Sequence, residues 1–468
     1  MELFGFTALQ WLVLVKHELL LFAAIFFLAG AADDIAVDLA WLWLRLTGRG
    51  ADLRVDRGLE DNRTLAGRAA VFIPAWDEPQ VIGTTIRHML SVWPQDGLRL
   101  YLGCYSNDMA TLEAAHRAAG GDPRLRIVIH DAEGPTTKAD CLNRLYRALE
   151  QDEVRLGERF RMVLLHDAED MVDPAALPLL DRAIESADMV QLPVMALPQP
   201  RSRWIGSHYV EEFAEQHGKA LVVRDALGAG VPLAGVGCAI ARPALASLPR
   251  LRGDAGPFAA DCLTEDYELG LLVSANGGRS RFLRARTSDG RLIATRAWFP
   301  ARLDQAVRQK TRWIHGIAFQ GWDRLGWRAH AGDLWMRMRD RRGPFTALVL
   351  ALAYLLLLLS AVVWGLSLAG LGQAMPLSPM LETVLWLNFA SLLWRLIMRF
   401  AFTAREFGVG EGLRAILRIP VGNVIAIMAG RRAVAAYIRT LTGAPLQWDK
   451  TEHLTHPAST RAMMAGGA

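Results

Sequence analysis

The residues from Phe345 to Gly370 run without one charged side chain. A bilayer core takes roughly 20 apolar residues in helical form, so this segment is long enough to span it. Everything else in the chain has to be arranged around that fact. A second span is predicted between Pro379 and Ile397, with Trp386 and Trp394 as interfacial anchors and Arg395 able to snorkel. Arg337, Arg339, Arg341 and Arg342 precede the first span, and Arg395, Arg399 and Arg405 follow the second. Leu371 to Met380, between them, carries no charge. The positive-inside rule puts that loop outside and both flanks in the cytoplasm.

The amino-terminal end predicts one more membrane helix, roughly Leu14 to Ala36, although Asp33 and Asp34 interrupt its apolar run. Arg45, Arg49, Arg54 and Arg57 would hold its far end in the cytoplasm. A cleaved signal peptide is the competing reading, but only Lys16, offset by Glu18, precedes the run. Leu413 to Gly430 is apolar yet contains Arg414, Arg418 and Pro420, which suits an interfacial or re-entrant helix better than a full span. The expected organisation is a transmembrane helix in 1–48, a cytoplasmic domain in 66–330 and two transmembrane helices in 343–400. An interfacial or re-entrant helix in 410–440 and a cytoplasmic tail in 441–468 complete it. Composition agrees, since 52% hydrophobic and 21% charged residues describe a soluble body with membrane-embedded ends. A net charge of +4 does not argue for nucleic acid. Cys104, Cys141, Cys238 and Cys262 form no CxxC pair or metal spacing, which suits a reducing cytosol.

Within the body, short apolar runs alternate with amphipathic stretches. Strands are predicted at Ala69–Ile73, Leu98–Tyr105, Leu125–His130 and Phe160–His166, and helices at Pro79–Val92, Ala110–Ala119 and Lys138–Leu149. This alternation predicts an α/β fold with an open, mainly parallel sheet flanked by helices, whose ligands bind at the carboxyl ends of the strands. Those ends carry Asp77-Glu78, Asn107-Asp108, His130-Asp131 and His166-Asp167-Ala168-Glu169-Asp170. No GxGxxG follows the first strand, no Walker lysine loop appears, and the Gly235-Val236-Gly237 pair lacks a third glycine.

Four segments carry candidate chemistry. Asp167 and Glu169, two apart on an exposed turn, can face one divalent ion whose shell phosphate oxygens complete; an acidic helix start is the bland alternative. Lys138, one of only five lysines, opens a predicted helix in Gly-Pro-Thr-Thr-Lys-Ala-Asp140, where helix-terminal amides favour an anion. A solvated lysine is the commoner outcome for such a residue. Glu265 and Asp266 form a carboxylate pair able to raise a base toward neutral pH, or simply the first turn of a helix capped by Thr264. In Gln309-Lys-Thr-Arg312-Trp313, the Arg can neutralise a leaving diphosphate and the Trp can face a sugar or base. The alternative is a basic amphipathic helix against the membrane.

Taken in this order and spacing, the segments resemble the membrane-bound family-two glycosyltransferases of the cellulose, chitin and hyaluronan synthase type. The resemblance covers about residues 66–325 and implies a GT-A-type domain with amino- and carboxyl-terminal membrane helices. It implies nucleotide-sugar contacts at Asp77, Glu78, Asp108, Lys138, Asp140, Gln309, Arg312 and Trp313, with Gln309, Arg312 and Trp313 as QxxRW. Asp167 and Glu169 would hold Mg²⁺ or Mn²⁺ in place of the DxD, and Asp266, beside Glu265, would be the catalytic base. The implied activity is inverting transfer from a nucleotide sugar, most simply a UDP-sugar carrying a hexose or N-acetylhexosamine. Its product would be an exported surface polysaccharide of the kind a phage uses as a receptor, made at a bacterial inner membrane. Single-sugar transfer to a polyprenyl phosphate lipid is the alternative, and a non-catalytic scaffold a more distant one. So few spans make a thin channel, so an outer-membrane or periplasmic export partner, or a homo-oligomer, is expected to complete the path.

Overall fold

In the computed structural model the described residues are 7–60, 63–252, 256–327, 329–370, 376–444 and 456–458. Most of the expected tail, 445–455 and 459–468, lies outside them, as does 371–375 of the loop between the two spans.

Helix α1 covers Ala8–Leu46, opened by a capping box in which Thr7 and Gln10 satisfy each other's backbone N–H groups. It is longer at both ends than the expected Leu14–Ala36. The strands that follow are β1 (Ala69–Pro74), β2 (Leu98–Tyr105), β3 (Leu125–His130), β4 (Met162–Leu165), β5 (Met189–Gln191), β6 (Cys238–Ala241) and β7 (Ser280–Phe282). They form one seven-stranded sheet in the order β3-β2-β1-β4-β6-β5-β7. All neighbours pair in parallel except β6, which is antiparallel to β4 and β5.

Between strands lie α2 (Ile82–Val92), α3 (Met109–Ala119), α4 (Lys138–Leu156), α5 (His208–Glu215) and, after β6, α6 (Glu265–Ala275). The β1 sequence AAVFIP is apolar throughout because both faces of the strand are covered. Val71 and Ile73 enter one core with Ile82, Ile86 and Trp93, whereas Ala70 and Phe72 enter another with Leu142, Leu145 and Leu149. The parallel registers bring the ends of β1 to β4 to one edge, and the acidic segments read from the sequence collect there.

Beyond the sheet follow α7 (Leu303–Ile314), α8 (Ala331–Arg341), α9 (Gly343–Leu368), α10 (Pro379–Phe407), α11 (Val409–Leu417) and α12 (Ile419–Leu441). Among the described residues four helices are long and apolar enough to cross a membrane: α9, α10, α12 and the stretch Gln10–Leu46 of α1. Asp33 and Asp34, which break the apolar pattern of α1, are tied to the others. Arg342 reaches Asp33 at 2.6 Å and Asp34 at 2.7 Å, and Arg339 and Arg395 also pair with Asp34. Trp335 Nε1 donates to Asp33 and Trp394 Nε1 to Asp38, which also pairs with Lys219 of the body.

The segment read as one interfacial or re-entrant stretch is two helices, broken at Arg418. Arg418 is fully buried, with Nη2 2.7 Å from Glu211 on α5 and Nη1 2.6 Å from Glu411 on α11. At the other end of α12, the Tyr437 hydroxyl lies 3.0 Å from Asp323 of the body. Burial pushes Glu211 up to about 7 even with Arg418 beside it. Removing one partner of a buried ion pair typically costs about 3–5 kcal/mol, because the other charge is left uncompensated. Arg418→Leu should therefore lower thermal stability in detergent by an amount of that order, and adding Glu211→Gln should recover part of the loss. Melting curves of the two variants read the difference; equal melting for Arg418→Leu and wild type would show that the pair carries no stability.

Candidate active site

At the end of β1 the chain turns sharply through Trp76 and Asp77, whose φ of +52° is left-handed for a non-glycine residue. Asp108 fixes that turn. One of its oxygens accepts the Asp77 N–H at 2.6 Å, while the other accepts the Thr111 N–H at 3.3 Å as the cap of α3. The Glu78 N–H donates to Thr111 Oγ1 at 2.9 Å. Asn107 bonds both backbone groups of Gly134 at 2.9 Å. Gly134 has no room for a side chain, since a Cβ there would sit 2.3 Å from the Trp76 ring. Trp76 meets Tyr105 edge-on at 5.2 Å, and Tyr105 stacks on His130 at 5.0 Å. Three strand ends thus share one aromatic ledge.

Beside the ledge is a cleft of about 120 Å³. Trp76, Glu78, Tyr105 and Thr136 line one part, and Lys138, Asp167, Glu169, Gln309 and Arg312 the rest. Lys138 is the first residue of α4, capped by Thr137, and its Nζ lies 2.6 Å from Asp167 Oδ1. The turn carrying Asp167 and Glu169 is held from below by Asp170, which accepts from the Asp167 N–H at 3.0 Å and pairs with buried His166 at 2.8 Å. Among the described residues no group of three or more His, Cys, Asp or Glu is placed to hold a metal ion alone. Two carboxylates on a cleft wall suit an ion whose remaining ligands come with the substrate.

Asp266 stands across Lys138 from that turn, in the first turn of α6. Its Oδ1 accepts the Tyr267 N–H at 2.7 Å. Gly235, at φ +76°, is wedged between the two: a Cβ there would lie 2.4 Å from Asp266 Oδ2 and 3.3 Å from Lys138 Nζ. Burial raises the Asp266 carboxyl, with Lys138 opposing. Glu265 is pushed up to about 7, first by burial and then by Asp266, again against Lys138. Burial would lower the Lys138 ammonium, but Asp167, Glu265 and Asp266 together hold it above its ordinary value.

From α7, Gln309 and Arg312 reach the same cleft because residues three apart share a helix face. The Gln309 Oε1 is buried without a hydrogen-bond partner among the described residues. Trp313, the next residue round the helix, faces elsewhere and packs with Tyr209, Phe299 and Phe213 at ring distances of 6.0–6.4 Å. Asp140 also turns from the cleft, 3.3 Å from His130. Lys138, Glu78, Asp167, Glu169, Gln309 and Arg312 are therefore brought together on one cleft, with Glu265 and Asp266 against Lys138. Asp77 and Asp108 shape its rim, and Asp140 and Trp313 stand outside it.

Sequence reasoning missed several positions. Gly235 was set aside with the failed dinucleotide motif, although an isolated Gly-x-Gly between apolar runs is itself a sign of close backbone approach. Trp76, Tyr105 and Thr136 carry no charge, so the search for acidic strand ends passed over them. Gln320 was missed too: its Oε1 accepts the Leu263 N–H at 2.9 Å and anchors the segment leading into Glu265 and Asp266.

The geometry agrees with what the chain is similar to. A model described as glycosyltransferase like family 2 matches residues 66–316. Bacteriophage adsorption protein B of Escherichia coli K12 is 32% identical over 471 residues, covering 95% of this chain. Bacteriophage N4 adsorption protein B of Escherichia coli O157:H7 matches to the same extent. The chain spans 62% of the length of these relatives. Among solved structures, the mannosyltransferase PcManGT from Pyrobaculum calidifontis, in complex with GDP-Man and Mn²⁺, aligns with a TM-score of 0.50 at 16% identity. That alignment covers 86% of this chain and 99% of the mannosyltransferase, and at this identity it speaks for a shared GT-A-type fold alone. By the family match over more than half its length, the chain belongs to glycosyltransferase like family 2.

Proposed function

We propose that the protein transfers a sugar from a nucleotide sugar, most simply a UDP-sugar, to an acceptor hydroxyl with inversion. The observation that carries this reading is the meeting of Lys138, Asp167, Glu169, Gln309 and Arg312, from three separate segments, on one cleft beside Asp266. Lys138 and Arg312 supply positive charge to a diphosphate, and the Trp76–Tyr105 ledge offers flat apolar faces to a base. Asp266 takes the proton of the acceptor hydroxyl as its oxygen attacks the anomeric carbon. The bond from that carbon to the diphosphate breaks on the opposite face, and its electron pair leaves with the nucleoside diphosphate. One displacement turns an α-linked donor into a β-linked product. Mg²⁺ or Mn²⁺ held by Asp167 and Glu169, with diphosphate oxygens completing its shell, would offset the charge of the leaving group.

The setting we infer is a bacterial inner membrane with the catalytic domain in the cytoplasm, supported by the four long apolar helices and the arginines at their ends. Helix α12 has the length of a span, yet Arg418 and Tyr437 bond the body at its two ends, which favours a course along the interface. Synthesis of an exported surface polysaccharide is the fitting role. Relatives carrying the name phage adsorption protein support a product displayed where a phage can meet it.

The test is nucleoside diphosphate release by the detergent-purified chain across a panel of UDP-sugars with Mg²⁺ or Mn²⁺. Sugar-specific, metal-dependent release is expected, and product length separates a polymer from a single transfer. Absence of metal-dependent UDP binding would overturn the reading. Asp266→Asn should reduce turnover by about 10²–10⁴-fold while UDP binding persists, as loss of a positioned base does.

Gly235→Ala should lower turnover by roughly 10²-fold, the scale of an ångström-sized misplacement of catalytic groups. Ala must adopt a positive φ there and displaces Asp266; steady-state rates at saturating donor check this against an unchanged far-ultraviolet spectrum.

The pH profile follows from the carboxylate pair Glu265–Asp266, whose Glu265 member also feels Lys138 and Arg312. A base must be ionised to act, and burial holds the Asp266 carboxyl above its ordinary value, so kcat/KM should fall on acidification at a pH above the usual carboxylate range. Stability runs the other way. A carboxyl raised in the folded state favours folding fully below its unfolded value near 4.5, and that contribution is lost as pH rises through about 7. A flat kcat/KM between pH 5.5 and 8 would remove the buried pair from the reaction.

A further inference from the structure

A second and larger cavity, about 860 Å³, lies at the cytoplasmic end of α1 and shares no lining residue with the catalytic cleft. Its walls come from the end of α1 and the following turn (Leu44, Arg49, Leu53), from edge strand β7 and from α8. That volume is in the range of sites that hold a small molecule.

The charge of this cavity is unbalanced. Arg49, Arg279, Arg281, Arg284 and Arg337 line it, against Asp225 and Asp333. Both acids are engaged internally. Asp225 pairs with Arg281 at 2.9 Å, and Asp333 pairs with Arg337 at 2.8 Å and accepts the Gly230 N–H at 3.1 Å. Arg284 is committed to Asp52 and Glu406, at 3.0 and 2.7 Å. Arg49 and Arg279 have no ion-pair partner among the described residues and remain as surplus positive charge. Arg337, only 3% exposed, keeps a buried Nε without a hydrogen-bond partner.

The same end of α1 also carries exposed apolar side chains. Leu39, Trp43 and Leu46 are 60%, 64% and 84% exposed and fall on one face of α1, at spacings of four and three residues. Leu53, 44% exposed, lies in the cavity wall itself. Such a stripe at the end of a long apolar helix belongs in the lipid interface, where anionic headgroups and juxtamembrane arginines meet.

We propose that this cavity binds a phosphate mono- or diester, presented by the headgroup of a membrane lipid, with Arg49 and Arg279 on the phosphate. A soluble phosphate is the other source of the same chemistry. The site is independent of the catalytic reading. It is connected to it physically, because Ser274 and Ala275 in its wall end the helix α6 whose first turn carries Glu265 and Asp266.

The full chain is purified in detergent and exchanged into nanodiscs of phosphatidylcholine with or without one-fifth phosphatidylglycerol. Native mass spectrometry counts retained lipids, and calorimetry in detergent follows inorganic phosphate and pyrophosphate. Three proteins are compared: wild type, Arg49→Gln/Arg279→Gln, and Ala226→Trp, which narrows the cavity without changing charge. Retention of phosphatidylglycerol over phosphatidylcholine by about tenfold, lost in both variants, is the expected result. Phosphate or pyrophosphate binding lost in both variants, without lipid preference, supports the site with a soluble ligand as its occupant. Lipid preference that the arginine pair loses but Ala226→Trp retains would mean surface attraction alone and overturns the proposal, as does no difference among the three proteins. Metal-dependent UDP binding, measured in parallel, should be equal in all three, so failure here leaves the catalytic reading separately judged.

Discussion

The catalytic cleft depends on Lys138. Asp167, Glu265 and Asp266 converge within the field of one ammonium, and burial raises the carboxyls of Glu265 and Asp266. A single cation placed among them keeps the group folded together while leaving its charge only partly neutralised. This explains why Glu265 is still pushed up to about 7 although Lys138 opposes it. It also explains why Gly235 cannot carry a side chain, since a Cβ there would come against both the Asp266 carboxylate and the Lys138 ammonium. A diphosphate with its metal would bring both more negative and more positive charge to the same place.

The membrane part is attached to this site by a comparable device. Asp33, Asp34 and Asp38 lie along α1 and take cations from three directions: Arg339 and Arg342 leading into α9, Arg395 on α10, and Lys219 of the body. Charges near a bilayer are tolerated where they pair. The same neighbourhood is tightened by packing. Trp41 Nε1 donates to the Gly218 carbonyl at 3.1 Å, and Gly218 lies so close to Phe402 of α10 that a Cβ would sit 2.6 Å from the ring. Two membrane helices therefore close on the π-helical turn Gln216–Ala220, whose extra residue per turn brings Lys219 to Asp38.

Residue types and spacing made most of the sheet legible. An uninterrupted apolar strand such as Ala69–Pro74, followed by an acidic turn, has few other readings, and β1 to β4 fall within two residues of expectation. Asp167, Glu169, Lys138, Gln309 and Arg312 stand out in the sequence by residue type and spacing, and the fold brings them onto one cleft. What escaped was whatever long-range packing decides. Trp313 looked available to a sugar, but one step of 100° around α7 separates it from Arg312 and sends it into Tyr209 and Phe299. Asp108, read as a ligand contact, also serves two backbone N–H groups, a role its position in the sequence does not reveal. Asp33 and Asp34 read as an interruption of a span, because their partners lie some 300 residues away. Gly235 was invisible for a different reason: its value is the absence of atoms.

Helix α7 is where the two halves of the molecule meet. One face carries Gln309 and Arg312 into the cleft, and the next carries Thr311 and Trp313 against α12 and α5. Arg418 and Tyr437 hold α12 to the body at both ends, and residues 418 and 437 are about 28 Å apart at 1.5 Å per residue. A helix pinned at both ends cannot slide along its axis without breaking the buried Arg418–Glu211–Glu411 group. Ala429 and Ile425 of α12 pack with Ala306 and Val307 of α7, where small residues allow close approach of the backbones.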